Sequence, residues 1–211
     1  MKNAVIAVLA AALWGCSHTQ TVMVPVPPRV DLKPYGTLGI VEFSSNGERA
    51  LNAQAMRQFE EQVQEAQPGT RFLELGSREA VLAGVGAKAF DAESVRRIGE
   101  KYRVNALFIG DIVYSDPHVD IRVGDIARLE GGMRSELRAD ISGRLLETGT
   151  GASVWTRSAW TKRQLGTLNV SAQKGVSGDL HGSSSPREQM VPSLVYQLTH
   201  DFRPSTVRES R

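Results

Sequence analysis

The chain has 211 residues, of which 41% are hydrophobic, and its 25 basic and 23 acidic residues give a formal net charge of +2. This near balance, without a block of like charges, excludes the strongly basic profile typical of a nucleic-acid-binding protein. The single cysteine, Cys16, leaves no second thiol for a disulfide, so the folded part must be held together by its core.

The amino terminus is typical of an export signal that ends at a lipidated cysteine. Lys2 precedes an uncharged apolar run over residues 4–13, which is too short to cross a bilayer as a helix. A leucine three positions before Cys16, and Gly15 just before it, resemble the bacterial lipobox. The resemblance implies cleavage between Gly15 and Cys16, removal of residues 1–15 as a signal peptide, and acylation of Cys16. Serine after the cysteine resembles the outer-membrane sorting pattern, and an ordinary secretory signal with an accidental cysteine is the alternative.

The next segment, residues 16–34, contains four prolines and few large apolar side chains. This composition predicts an extended, semi-rigid tether with polyproline II geometry. A single domain is predicted over residues 35–202, because a span of this length can bury a sizeable core. Residues 203–211 form a short basic tail, which we expect to be a solvated end.

The first half of the domain alternates predicted strands and helices. Apolar runs bounded by turn residues predict strands, whereas apolar residues at helical spacing after a capping residue predict helices. The predicted strands are 36–43, 71–75 and 105–114, and the predicted helices are 52–66, 77–83 and 91–102. The third strand is apolar almost throughout, which indicates burial on both faces and places Leu107, Ile109 and Ile112 in the core.

The second half is predicted to be an antiparallel meander. Strict alternation over residues 133–145 predicts a long, half-exposed strand, and 154–161 is its returning partner after a turn. Residues 166–185 are rich in glycine and serine and are predicted to be a loop. Ser185 and the following proline predict a capped closing helix, in which Pro192 either introduces a kink or marks the first turn. The fold class is therefore α+β with some α/β character, and its sheet is mixed.

The alternation of apolar and polar residues within residues 119–141 leaves two interpretations open. An apolar set on two neighbouring segments suits either a sheet face covered by helices or a lipid-facing hairpin of a pore. The set comprises Val119, Ile121, Val123, Met133, Leu137, Ala139 and Ile141.

No residue pattern in the sequence indicates a catalytic or cofactor site. Asp116, His118 and Asp120 alternate along one strand and are a weak candidate metal site, but such side chains are about 7 Å apart in steps of two, and a solvated face is the simpler interpretation. We therefore predict neither a metal nor a cofactor. Trp155 and Trp160 are weak candidates for anchoring a partner, and since they point to opposite faces of one strand, one of them is expected in the core.

Residues 36–162 resemble the periplasmic domain shared by CsgG, the LpoB-type activators of penicillin-binding proteins and the amino-terminal domain of TolB. The resemblance rests on three stretches, 39–43, 98–112 and 144–155, together with the lipobox and the proline-containing tether. It implies a non-enzymatic outer-membrane lipoprotein that docks an envelope protein in the periplasm and that can form a homo-oligomer. Two alternatives stay open: a ring-forming secretion subunit, and a glycan-acting enzyme with carboxylates from the set Glu42, Asp111 and Glu147.

Overall fold

The computed structural model describes residues 21–123, 131–171, 175–180 and 185–210. The strands within these ranges are β1 (Thr21–Val26), β2 (Thr37–Val41), β3 (Ser44–Ser45), β4 (Arg71–Gly76), β5 (Ala106–Tyr114), β6 (His118–Val123), β7 (Gly131–Glu147), β8 (Ser153–Ser171), β9 (Gly175–Leu180) and β10 (Ser205–Ser210). The helices are α1 (Arg49–Ala66), α2 (Arg78–Gly84), α3 (Ala92–Tyr102) and α4 (Pro186–Leu198). The predicted signal peptide and Cys16 lie outside the described residues.

Eight of the strands form one mixed sheet. Its main order is β4-β2-β5-β7-β8-β9, with β3 paired to β5 and β6 paired to β7. The first three strands in this order are parallel, whereas β7, β8 and β9 continue the sheet in antiparallel pairs. The predicted α+β class, with a mixed sheet and a closing helix, is confirmed.

The core lies on both faces of β5, as its apolar run predicted. One face of the strand contributes to a large cluster with α1 and α4, while the other contributes to a smaller cluster with α2 and α3. Leu107 and Ile109 belong to the smaller cluster, and Ile112 to the larger. All three are at most 2% exposed, so their predicted core positions are confirmed.

A glycine on β5 permits close aromatic packing in the larger cluster. A Cβ at Gly110 would lie 2.3 Å from the ring of Phe43, so a larger residue would displace that ring. Phe43 contacts Phe59, whose ring stacks on Phe108 with 4.0 Å between centroids. These rings join β5 to α1.

Two of the three predicted helix caps are confirmed. Ser77 Oγ accepts a hydrogen bond from the Ala80 amide, and Asp91 caps α3 in a box with Ser94. The capping box predicted at Ser185 is wrong, because its side chain makes no capping bond; its backbone carbonyl accepts from the Gln189 amide instead. Proline at 186 starts the helix as predicted, while Pro192 lies within α4 and not in its first turn.

The loop predicted over residues 166–185 is wrong for much of its length. Strand β8 continues to Ser171, and β9 pairs with it in register from Gly166↔Leu180 to Ser171↔Gly175. The glycine- and serine-rich composition hides these strands, because backbone pairing with the start of β7 holds this part of β8 extended without requiring apolar side chains.

The two segments that carry the alternating apolar set pair with each other in the sheet. β6 pairs with β7 in the register Ile121↔Met133. However, Leu137, Ala139 and Ile141 are buried in the large cluster that contains α4, so they do not face lipid. These three residues therefore form a sheet face covered by a helix, whereas Val119 and Met133 are exposed at 46% and 43%, and the Ile121 and Val123 side chains lie outside the described part of the structure.

The chain divides into two compact units. One contains β1 and β10, which pair antiparallel from Thr21↔Ser210 to Val26↔Ser205. Parts of the predicted tether and of the predicted solvated tail are thus paired strands. No helix in the described ranges is long and apolar enough to cross a membrane.

The other unit spans Pro28–Arg203 and so begins earlier than the predicted 35–202 domain. Leu32 is buried at 3% exposure, and its amide donates to Gln67 Oε1 at 2.9 Å. The Gln67 amide nitrogen in turn donates to the carbonyls of Val30 and Phe202. One buried side chain from the end of α1 thus fastens the segment before β2 to the domain.

Candidate partner-docking surface

The two faces of β8 have opposite environments. Between Trp155 and Arg163, odd-numbered residues face α4 and even-numbered residues face away from it, because the cross-strand pairs Leu145↔Trp155 and Asp140↔Trp160 fix the two orientations. Trp155 is 8% exposed and Trp160 is 52% exposed. The prediction that one tryptophan belongs to the core is confirmed, and Trp160 is the one available to a partner.

Trp155 belongs to a buried polar network. Its indole nitrogen donates to Asp201 Oδ2 at 3.1 Å, while its ring lies 4.7 Å from that of Phe202. Arg157 donates to the other carboxylate oxygen at 2.8 Å and to the Gln197 carbonyl at 3.0 Å. This network ties β8 to the carboxyl end of α4.

Asp201 stays ionised in this network. Burial acts to raise the pKa of its carboxyl, but hydrogen bonds from Trp155 and Arg157 outweigh burial and hold that pKa below its usual value. His200 and Arg29 approach the same carboxylate at 3.5 and 3.6 Å. The carboxylate therefore contacts Arg157, Arg29 and His200 beside α4.

On the outer face, Trp160 lies under an arginine. The Arg138 guanidinium is 5.0 Å from the indole centroid, within the range of a cation–π contact. Asp140 holds that guanidinium with two hydrogen bonds of 2.9 and 2.7 Å, and it lies directly across from Trp160 in the sheet. The indole is thus oriented while about half of it stays open to solvent.

A groove of about 250 Å³ lies between Trp160 and the carboxyl-terminal turn of α4. Tyr196 forms its other side and is 61% exposed, with the Arg203 guanidinium 3.7 Å from its ring centroid. The groove follows an edge of β8 that has no strand partner over residues 153–163 among the described residues, because β9 pairs only from Gly166 onward. We call Trp160, Tyr196 and the groove between them the aromatic groove.

Three residues in or beside the groove, Tyr196, Arg157 and Asp201, were not predicted from the sequence as site residues. Tyr196 lies off the apolar stripe of α4, and an aromatic residue at such a position predicts an exposed aromatic side chain. Arg157 and Asp201 carry no such signal, because their pairing joins residues 44 positions apart.

The weak metal candidate has exposed side chains. His118 Nε2 lies 3.4 Å from Asp120 Oδ1, with these side chains 78% and 59% exposed. Across the described ranges no three histidine, cysteine or acidic side chains are grouped to hold a metal. The carboxylates considered for a glycan-acting enzyme have separate contacts: Asp111 pairs with Arg78, and Glu147 accepts from Thr150 Oγ1 at 2.8 Å.

No protein-family model matches the sequence, and no curated protein matches it significantly. Several solved bacterial structures are similar to the chain. They include the PelC dodecamer from Paraburkholderia phytofirmans, with 10% identity, a TM-score of 0.43 and coverage of 87% of this chain and 98% of that one. Lipoprotein GNA1162 from Neisseria meningitidis has 12% identity, a TM-score of 0.38 and coverage of 78% and 98%.

The LpoB C-terminal domain from Salmonella enterica is also similar, with 11% identity, a TM-score of 0.34 and coverage of 60% of this chain and 83% of that one. LpoB domains are thus among the similar structures, as the sequence resemblance predicted, while the CsgG and TolB parts of that resemblance stay predictions.

Proposed function

We propose that the protein is a non-enzymatic adaptor lipoprotein, anchored in the outer membrane through Cys16, whose folded domain docks a periplasmic protein partner in the aromatic groove. The observation that carries the docking proposal is the pair Trp160 and Tyr196, two large aromatic side chains exposed on either side of one groove. Exposed aromatic pairs beside arginines have the composition of interface hot spots.

The groove suits a partner that inserts an apolar side chain and surrounds it with acidic or polar groups. Trp160 and Tyr196 offer large contact areas with few rotatable bonds, so little conformational entropy is lost when a partner covers them. Arg138 and Arg203 lie over the two rings and supply donors at the rim. The unpaired edge of β8 adds backbone groups that a partner strand can bond.

The anchor follows from the predicted lipobox. Two or three acyl chains on Cys16 hold a protein stably at a bilayer, whereas a single chain binds reversibly. We expect Cys16→Ser to leave an unprocessed or soluble chain, which membrane fractionation measures. A variant that is still cleaved and membrane-bound would contradict lipidation at this residue.

The docking proposal is tested by photo-crosslinking in living cells. A photoreactive amino acid at position 160 is expected to trap one protein, and the adduct should disappear when Tyr196→Ala is added. Leu73, a 40% exposed residue on the opposite sheet edge, is the matched control position. Equal crosslinking from positions 73 and 160, or an adduct unaffected by Tyr196→Ala, would contradict a specific groove.

A further inference from the structure

Another cavity, of about 170 Å³, lies beyond the carboxyl ends of the parallel strands β2 and β4. The chain leaves β2 toward α1 on one face of the sheet and leaves β4 toward α2 on the other. The strands' continuations therefore diverge and open a crevice between them. Open α/β sheets bind ligands at such points, where successive connections change face.

A local irregularity in strand pairing borders this crevice. The register between β2 and β4 shifts after Ile40↔Glu74, so that Val41 pairs with Gly76. Gly76 has φ +91°, a conformation that side chains rarely adopt, and its carbonyl accepts from the Glu42 amide at 2.9 Å. The bulge ends the pairing and directs Glu42 to the wall of the cavity.

One wall of the cavity carries donors. Arg49 is exposed, and among the described residues no carboxylate lies within 4.0 Å of its guanidinium. Asn52 accepts from Ser45 Oγ through Oδ1 at 2.5 Å, which orients its amide and leaves Nδ2 as a donor. Ser44 adds a hydroxyl to the same wall.

The facing wall carries acceptors. Glu79 of α2 lies there, and hydrogen bonds from its own backbone amide and from Ser77, with a smaller contribution from the Arg78 and Arg49 charges, hold the pKa of Glu79 below its usual value. Glu42, which follows β2, also lines the cavity. Arg78 also lines the cavity, but it is ion-paired with Asp111 and lies 5.7 Å from the Phe90 ring centroid. The cavity lining therefore offers a ligand the Arg49 guanidinium and the carboxylates of Glu42 and Glu79.

We propose that this cavity binds a small free α-amino acid, with the ligand carboxylate on Arg49 and Asn52 and the ligand ammonium on Glu42. A single lining that combines a guanidinium with carboxylates matches a zwitterion better than an anion or a cation alone. A water molecule occupies about 30 Å³ of liquid, so the cavity holds roughly six non-hydrogen atoms. Glycine, alanine and serine are of this size.

The test is isothermal titration calorimetry on the full lipoprotein extracted from membranes in detergent. The probes are glycine, L-alanine, D-alanine and L-serine, compared with propionate, which lacks the ammonium, and ethylamine, which lacks the carboxylate. At least one amino acid is expected to bind about tenfold or more tightly than both half-ligands, since each half-ligand leaves one wall unpaired. No measurable binding by any of the four, or equal binding by a half-ligand, would overturn the proposal.

Variants assign the binding to this cavity. Arg49→Ala and Glu42→Gln are each expected to weaken amino-acid binding about tenfold or more, while Arg49→Lys retains part of it. Arg57→Ala is the matched control, because Arg57 is an exposed arginine on the same helix outside the cavity. An equal effect of Arg57→Ala, or no effect of Arg49→Ala with circular dichroism unchanged, would place the binding elsewhere.

Discussion

The parallel and antiparallel parts of the sheet are covered differently. The parallel strands β2 and β5 have helices on both faces, α1 and α4 on one and α2 and α3 on the other. Farther along, α4 covers one face of β7 and β8, and the even-numbered residues 134–144 of β7 and 156–164 of β8, on the other face, are exposed or half-buried. The first part provides the buried core, and the second presents Trp160 to solvent. Substitutions at equivalent positions in the two parts should therefore differ in how far they lower the free energy of unfolding and in how far they weaken partner binding.

The largest difference is expected between the two tryptophans of β8. Trp155→Ala removes a buried ring and leaves Asp201 without one donor, so it should lower the free energy of unfolding by about 3–5 kcal/mol. Trp160→Ala loses a half-exposed ring and its contact with Arg138, which should cost about 1 kcal/mol or less. Chemical denaturation measures both, and equal losses would contradict the one-sided cover of β8.

The next largest effect tests the two-sided cover of β5. Truncation of Leu107, Ile109 or Ile112 to alanine should cost about 2–5 kcal/mol, whichever face the side chain occupies. Val113→Ala is the control on the same strand, because Val113 is 56% exposed and its truncation should cost less than about 0.5 kcal/mol. Losses below about 0.5 kcal/mol at all three core positions would show that β5 is not the central strand.

A smaller effect is expected where α4 meets β8. Asp201→Asn removes the charge that holds Arg157 and should cost about 1–3 kcal/mol at pH 7. Because the native pKa of Asp201 is lowered, its contribution is complete above the unfolded value of about 3.9 and is lost as pH falls through the native value. Denaturation of wild type and variant should therefore differ at pH 7 and converge in acid. A difference unchanged at pH 3 would contradict a charged Asp201.

The smallest effect concerns α1 in the parallel part, because the Glu60 side chain is only partly buried and solvent screens its charge. Burial, with Glu74 and Glu61 nearby, raises the pKa of Glu60 to about 7, and its Oε1 atom is buried without a hydrogen-bond partner. The native state thus favours the protonated form, so wild-type stability falls as pH rises from about 4.5 toward 7. Glu60→Gln should stabilise the protein at pH 8 and have little effect at pH 4. Thermal melting compares the two, and parallel pH profiles would contradict the raised pKa.

Much of the parallel part could be predicted from local patterns. The apolar run of β5, the helical spacing of α1 and the caps at Ser77 and Asp91 each depend on residues close together in the chain. The sequence also predicted that the two tryptophans lie on opposite faces of β8, because side chains alternate along any strand. Which tryptophan would be buried did not follow, since that depends on where α4 lies.

Lipidation at Cys16 stays a prediction from a lipobox-like motif, whereas the amino-acid sequence by itself determined the mixed fold class and the buried central strand. These depend on composition and periodicity, which act over a few residues. Only the tertiary structure decided that β8 extends through a glycine-rich segment, that Leu32 joins the core, and that Trp160 and Tyr196 border one groove. The physical reason is that backbone pairing, burial and ion pairing here join segments that are distant in the chain. Whether two such segments come into contact cannot be predicted from the residues of either segment alone.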